Sequence, residues 1–339
     1  MSLTFDDGRA SQDRARRILA GHGLVGTFYV NSGLVGEPRY LGWDEVDALA
    51  ADAHEIGGHT VSHPHLPEVP VEDARREIGA DREAVTVRDL FEHCSGLPAY
   101  RRYFEQLAGR PAYESAIGRE PLTYQPRTQS LYSDPGFMLL GFVLEDARQE
   151  SLDRQFDRWR ERVGITEPLR FNPPESWRDR IAPTEQDAWR GRLIVGEVHD
   201  ENAAALGGVA AHAGLFGTAA AVGAAGRWWL SLLRGTDDVA MTLQARDAAT
   251  FAERSTVPGS SRALGWDTMV TTSSCGTCLS PRAIGHTGFT GTTLWMDPEH
   301  DVYFVLLTNR VHPTRNNDRI QPVRRAFHDA AIADILEQA

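Results

Sequence analysis

The sequence predicts an α/β chain in two unlike segments. Residues 1–84 alternate short strands with helices, and residues 85–339 form a longer α/β domain that closes with an antiparallel sheet flanked by helices. Three observations predict this. Residues 1 to 58 read strand, helix, strand, helix, strand, the rhythm of an α/β layer structure whose sites lie at the C-terminal ends of the strands. Gly285 to Asn309 reads as a hairpin: an edge strand, a tight turn at Asp297-Pro298-Glu299-His300-Asp301, and an apolar partner strand from Val302 to Leu307. Helical stretches bracket that hairpin, Ala219 to Leu233 before it and Val323 to Leu336 after it.

Composition narrows the function. With 339 residues, 41% of them hydrophobic, the chain has material for about two globular domains. A net charge of −12 and a pI near 5.5 argue against nucleic acid or an anionic membrane as partner. No stretch is apolar enough to span a bilayer, and MSLTFDDGRASQD has neither the basic nor the apolar part of a signal peptide, so the chain as written is expected to stay in the cytoplasm. Cys94, Cys275 and Cys278 are too few and too odd in number for a disulfide framework. All 35 basic residues are arginine. Chemistry that needs a lysine amine is therefore excluded within this chain.

In order, the strand Ser2-Leu3-Thr4-Phe5 runs into Asp6-Asp7-Gly8, and Arg9 to Gly23 is helical with Ala15, Ile18 and Leu19 on one face. A second strand covers 26–30 and a second helix Trp43 to Ala53. A third strand, His54 to Gly58, leads into His59-Thr60-Val61-Ser62-His63. Two histidines four apart on a helical turn face the same way, and with one carboxylate they make a three-ligand metal set with positions left for water and substrate. Of two adjacent carboxylates, one can then bind metal while the other takes a proton from the bound water. Taken singly, the two histidines read as a surface pair and Asp-Asp-Gly as a turn.

Together, TFDDG at 4–8, GTFYV at 26–30 and EIGGHTVSH at 55–63 resemble the polysaccharide deacetylase family of chitin and peptidoglycan N-deacetylases. The resemblance implies part of a (β/α) barrel, Asp6 as catalytic base, and Asp7, His59 and His63 as ligands of a divalent metal, in that family zinc. It implies an acetylated polysaccharide or peptidoglycan-like substrate. It ends near Glu83, and the family's later arginine and general-acid histidine are not found beyond it.

From Val85 the text changes. Val87 to Pro98 reads as a helix closed by Ser95-Gly96 and Pro98, a polar loop leads to Leu131-Tyr132-Ser133-Asp134-Pro135-Gly136-Phe137, and Met138 to Ala147 is an apolar helix. TVRDLFEHCSGLP at 86–98, YSDPGFMLLG at 132–141 and GHTGFTG at 285–291 resemble the β-lactamase-related serine hydrolases, the group of class C β-lactamases, penicillin-binding carboxypeptidases and esterases. The resemblance implies a β-lactamase-like α/β domain. Tyr132 becomes a proton-relay phenol, Asp134 stands where asparagine is usual, and His286-Thr287-Gly288 becomes the strand motif with histidine in the place of lysine.

The nucleophile's Ser-x-x-Lys motif is missing, since its place holds deacetylase-like sequence and the chain has no lysine. A serine hydroxyl needs an adjacent base, so Tyr132 and His286 are expected to surround an empty centre, with Ser95 and Ser133 structural. Glycines 285, 288 and 291 leave room for a ligand beside the backbone, or simply weaken an edge strand. Cys275-Gly-Thr-Cys278 reads as a loop with two thiols, His199 and His212 as buried hydrogen-bonded histidines, and 228–233 as a packed helix face. No Pro, Gly or Ser linker separates the two kinds of text. The chain is thus expected to join two incomplete hydrolase segments. Three functions follow: a metal-dependent deacetylase, a serine esterase, carboxypeptidase or β-lactamase, and a non-catalytic glycan- or peptidoglycan-binding module.

Overall fold

The structure, a computed structural model, describes residues 3–58, 85–238 and 243–338. Its contacts divide the chain into two units, 1–85 and 86–339.

The first unit holds strand β1 (Thr4–Phe5), helix α1 (Gln12–Gly21), strand β2 (Thr27–Val30), helix α2 (Trp43–Ala51) and strand β3 (Glu55–Gly58). The three strands form a parallel sheet in the order β1-β2-β3. Crossover helices make that order natural, because parallel neighbours cannot be joined by a tight turn. Phe28 and Val30 bury on the same face as β2 alternates, against Leu19, Leu41, Val46 and Leu49. Gly42 opens α2 with its N–H donated to the Glu45 carboxylate at 2.6 Å. The helix expected from Arg9 starts three residues later, at Gln12.

The second unit begins with α3 (Val87–Phe91), capped by Thr86, whose hydroxyl accepts the Asp89 N–H while the Asp89 carboxylate accepts the Thr86 N–H. Here the helix expected to Pro98 is corrected. It stops at Phe91 because His93 adopts a left-handed backbone (φ 55°), which bends the chain and turns the imidazole inward. After α4 (Arg110–Arg119) comes α5 (Asp134–Arg148), four residues earlier than its apolar run suggested. Ser133 accepts the Gly136 N–H at 3.1 Å as N-cap and Pro135 fills the first turn, so the start signal precedes the hydrophobic stretch. Helix α6 (Leu152–Val163), strand β4 (Leu169–Phe171), the short pair β5 (Gln186–Asp187) and β6 (Arg192–Leu193), and α7 (Glu201–Ala205) follow. Then come β7 (Leu215–Gly217), which pairs with β4, α8 (Ala219–Leu233) and α9 (Ala245–Ala252).

The main sheet has the order β11-β10-β9-β8, all antiparallel, from β8 (Asp267–Thr268), β9 (Ile284–Thr287), β10 (Thr292–Asp297) and β11 (Val302–Leu307). The expected turn at 297–301 joins β10 to β11. The stretch read as one edge strand from Gly285 is instead two strands, and β9 lies inside the sheet. A turn through Gly288 and Gly291 separates them, with the Gly288 N–H donated to the Thr292 carbonyl at 2.8 Å. Gly291 has φ 117°, and a Cβ there would sit 2.6 Å from the Thr308 hydroxyl. Gly285 has another use: a Cβ would meet the Trp295 ring and the Leu294 carbonyl oxygen, each at 2.4 Å, so this glycine makes room for a fully buried indole.

Alternation along β10 sends Trp295 to one face, packed with Phe304 and with Ile332 of α10 (Ile320–Gln338), and Leu294 and Met296 to the other, packed with Leu230 of α8. Helices thus flank both faces, as expected. Trp228 and Trp229 extend a packed aromatic row to Trp159, Phe251 and Trp266. Among the described residues, no helix is long and apolar enough to cross a membrane.

Candidate active site

The second unit gathers its polar side chains where the start of α5, the loop after α3 and β9 meet. Tyr132 immediately precedes the cap of α5, and His286 lies on β9. Their ring centroids are 6.0 Å apart. His93 packs against Tyr132 at 4.4 Å and stacks on Phe137 at 4.6 Å. The Ser133 N–H donates to His93 Nδ1 at 3.0 Å, which leaves the ring proton on Nε2. The His93 carbonyl is held in turn by the Tyr124 hydroxyl at 3.0 Å and the Leu131 N–H at 2.8 Å. Arg262 lies over the Tyr132 ring, 5.4 Å from its centroid.

Electrostatics follow from burial and this one cation. Burial, then Arg262, holds His286 down to about 4 and His93 down to about 2, so both imidazoles are neutral at pH 7. Burial raises the Tyr132 phenol, the Asp134 carboxylate adds to the rise, and Arg262 opposes it. The Asp134 carboxyl is raised to about 6 by burial, with His212 pulling the other way.

The two serines nearest in sequence are both engaged. Ser133 donates its hydroxyl to the Pro98 carbonyl at 2.8 Å while capping α5, and the Ser95 hydroxyl accepts the Leu97 N–H at 3.4 Å in a tight turn. Among the described residues, neither hydroxyl is hydrogen-bonded to a side-chain base. His199 and His212 are buried and hydrogen-bonded, His199 Nε2 to Glu185 at 2.7 Å and His212 Nε2 to Asp200 at 3.0 Å. Glu185 also accepts from Arg315, which reaches Glu201 at 2.6 Å. Cys275 is buried and Cys278 exposed, both thiols free, in a loop tied to the Asp329 carboxylate through the Thr277 and Cys278 N–H groups.

In the first unit, Asp6 and Asp7 follow β1 at its C-terminal end. Asp6 is exposed and its carbonyl accepts the Gln12 side-chain amide. Asp7 is half-buried with a left-handed backbone (φ 76°), and the Arg9 guanidinium lies 3.6 Å from its carboxylate. His59 and His63 lie outside the described residues; β3 ends at Gly58, the residue before His59. In the parallel sheet the C-terminal ends of β1 and β3, at Phe5 and Gly58, lie at the same edge, two strand spacings or about 10 Å apart. A carboxylate and two imidazoles are a donor set suited to zinc. Among the described residues, no cluster of three or more His, Cys, Asp or Glu could hold a metal ion.

Motifs identified Tyr132 and His286, and the fold brings them together. His93 and Arg262 were missed. His93 was hidden by the helix read through it, although His-Cys-Ser-Gly is a plausible helix stop. Arg262 sits in a loop whose sequence carries no signal for the site.

An antiparallel sheet with helices on both faces is the architecture of a β-lactamase-like α/β fold. The beta-lactamase family model matches residues 49–327, and the chain belongs to that family. The polysaccharide deacetylase model matches residues 1–89, overlapping the first match over 49–89. The chain is 30% identical over 277 residues to an Escherichia coli K12 protein named "Putative D-alanyl-D-alanine carboxypeptidase", covering 71% of this chain and 60% of that one. It thus spans about 60% of the length of that curated relative. Among solved structures, the octameric penicillin-binding protein homologue of Pyrococcus abyssi aligns with TM-score 0.51 at 15% identity, over 74% of this chain and 56% of that one. Simvastatin synthase of Aspergillus terreus aligns with TM-score 0.50 at 18% identity, over 74% and 68%. These two likenesses concern the fold alone.

Proposed function

We propose that the chain is a hydrolase of peptidoglycan-type substrates whose second unit binds the acyl or peptide portion between Tyr132 and His286 and works without a serine acyl-enzyme. The observation that carries this reading is the convergence of those two rings, 6.0 Å apart, beside neutral His93 and cationic Arg262, while Ser95 and Ser133 are committed to local hydrogen bonds. The groups present can polarise a carbonyl and take a proton from water. They do not activate a serine. The substrate class rests on the family and on the carboxypeptidase name of its relatives. The test is hydrolysis of p-nitrophenyl acetate and of a peptide ending in D-alanyl-D-alanine by the full chain. Turnover that falls at least tenfold in both Tyr132→Phe and His286→Ala supports the reading, and turnover that survives both variants contradicts it.

A second reading, metal-dependent deacetylation of an acetylated carbohydrate, is favoured by the delivery of Asp6 and Asp7 to the sheet edge at which β3 ends before His59. Asp7, His59 and His63 would hold a divalent ion, zinc by donor type, which supplies a more acidic bound water. Asp6 would accept that proton. Acetate release from N-acetylglucosamine oligomers that disappears in His59→Ala supports it. Release unchanged in that variant removes it.

A further inference from the structure

Arg262 is the cation of the candidate site, and among the described residues no group answers its charge. Its guanidinium lies over the Tyr132 ring, 5.4 Å from the centroid, and among those residues it joins no ion pair and donates no hydrogen bond. Arg315, by contrast, is held by the Glu185 and Glu201 carboxylates at 2.7 and 2.6 Å. The backbone beneath Arg262 is fixed. Its carbonyl accepts the Ser255 N–H at 2.7 Å, and its N–H donates to the Ser260 hydroxyl at 3.1 Å. It also bridges Asp267, which pairs with Gly285, the residue before His286. The Asp267 carboxylate accepts the Thr268 N–H at 3.2 Å and forms no ion pair with the guanidinium.

The rings around this cation are uncharged. His93 packs 4.4 Å from Tyr132, and His286 lies 6.0 Å from it on β9. A guanidinium stacked on an aromatic face keeps its N–H edge free, because the ring meets its plane and not its donors. Donors in one plane, with no carboxylate of the described residues to accept from them, suit an oxyanion brought in from outside.

We propose that Arg262 is a catalytic residue of this centre, its guanidinium binding the oxyanion that forms on the carbonyl oxygen of an ester or amide substrate. The inference rests on hydrolysis between Tyr132 and His286 as proposed above. The oxygen of water bonds to the carbonyl carbon, the carbonyl π pair moves to the carbonyl oxygen, and the new negative charge lies against the guanidinium. The proton of water goes to the neutral His286 imidazole. On collapse the π bond re-forms, the carbon–leaving-group bond breaks, and the leaving group takes its electron pair and that proton. Charge on the oxygen exists only during the reaction, so Arg262 lowers the barrier more than it tightens substrate binding.

The test uses the full chain and two probes, p-nitrophenyl acetate and 4-nitrobenzylphosphonate, a stable tetrahedral anion. Arg262→Met should lower kcat about a hundredfold with little change in KM. It should also weaken phosphonate binding, read by titration calorimetry, by about tenfold or more. Arg262→Lys keeps the charge without the planar donors and should lie between wild type and Arg262→Met in both readouts. Added methylguanidinium should restore part of the Arg262→Met rate, which a packing role for the side chain does not predict. An unchanged kcat in Arg262→Met, or phosphonate binding that is absent from the wild type or survives that variant, overturns the proposal. If the chain hydrolyses no ester or peptide, the proposed function fails, and the phosphonate titration alone decides whether Arg262 is an anion site.

Discussion

The Tyr132 and His286 rings lie 6.0 Å apart, although 154 positions separate them in sequence and they come from a helix start and an inner strand. Replacing either should reduce ester hydrolysis by unequal routes. Tyr132→Phe keeps the ring packed against His93 and loses only the hydroxyl, so it should lower kcat and leave the fold intact by circular dichroism. His286→Ala also removes packing inside the sheet and should lower both kcat and the unfolding midpoint.

Asp89 supplies a stability prediction with a pH sign. Its carboxylate, buried, accepts from the Thr86 N–H, the Thr86 hydroxyl and the Arg127 guanidinium at 2.7–2.8 Å. Burial alone would raise it, but these donors together, Arg127 foremost, hold it below the usual carboxylate range. A depressed acid contributes stability above its unfolded value near 4, which is lost as pH falls through the folded value. Asp89→Ala should cost about 2 kcal/mol at pH 7 by orphaning those donors. The cost should shrink below pH 4, as read by urea unfolding at the two pH values.

Gly285→Ala tests the correction to the strand. The new methyl would collide with Trp295 and the Leu294 carbonyl, so destabilisation by about 1–3 kcal/mol is expected from overpacking. Thermal unfolding measures it. Had the glycine served only ligand access, stability would be unchanged and substrate KM would rise.

Ser133→Ala separates a cap from a nucleophile. Loss of the Ser133 hydroxyl from the start of α5 should cost about 1 kcal/mol. The kcat for ester hydrolysis at a temperature well below unfolding should stay within twofold of wild type. A fall of a hundredfold or more would assign Ser133 a chemical role.

Much of this was legible locally. The strand and helix rhythm of residues 4–58, the helix from Ala219 to Leu233 and the turn at Asp297–Asp301 follow from apolar period and turn chemistry, which act over a few residues. The turn through Gly288 and Gly291 reads in sequence as thinned strand because glycine signals only permission, and the Thr308 contact at Gly291 and the Trp295 contact at Gly285 appear only once the strands are paired. His93 and Arg262 reach Tyr132 from segments 39 and 130 positions away, so only tertiary packing reveals them. His59 and His63, the expected metal ligands, lie outside the described residues.

The proposed reaction at Tyr132 and His286 proceeds without acylating a serine. The direct measurement is the intact mass of the protein quenched during steady-state turnover of p-nitrophenyl acetate, and again after exposure to fluorophosphonate and penicillin. Unmodified mass in each sample, alongside turnover that Tyr132→Phe abolishes, is the predicted result. A stoichiometric mass increase mapping to a serine would contradict it.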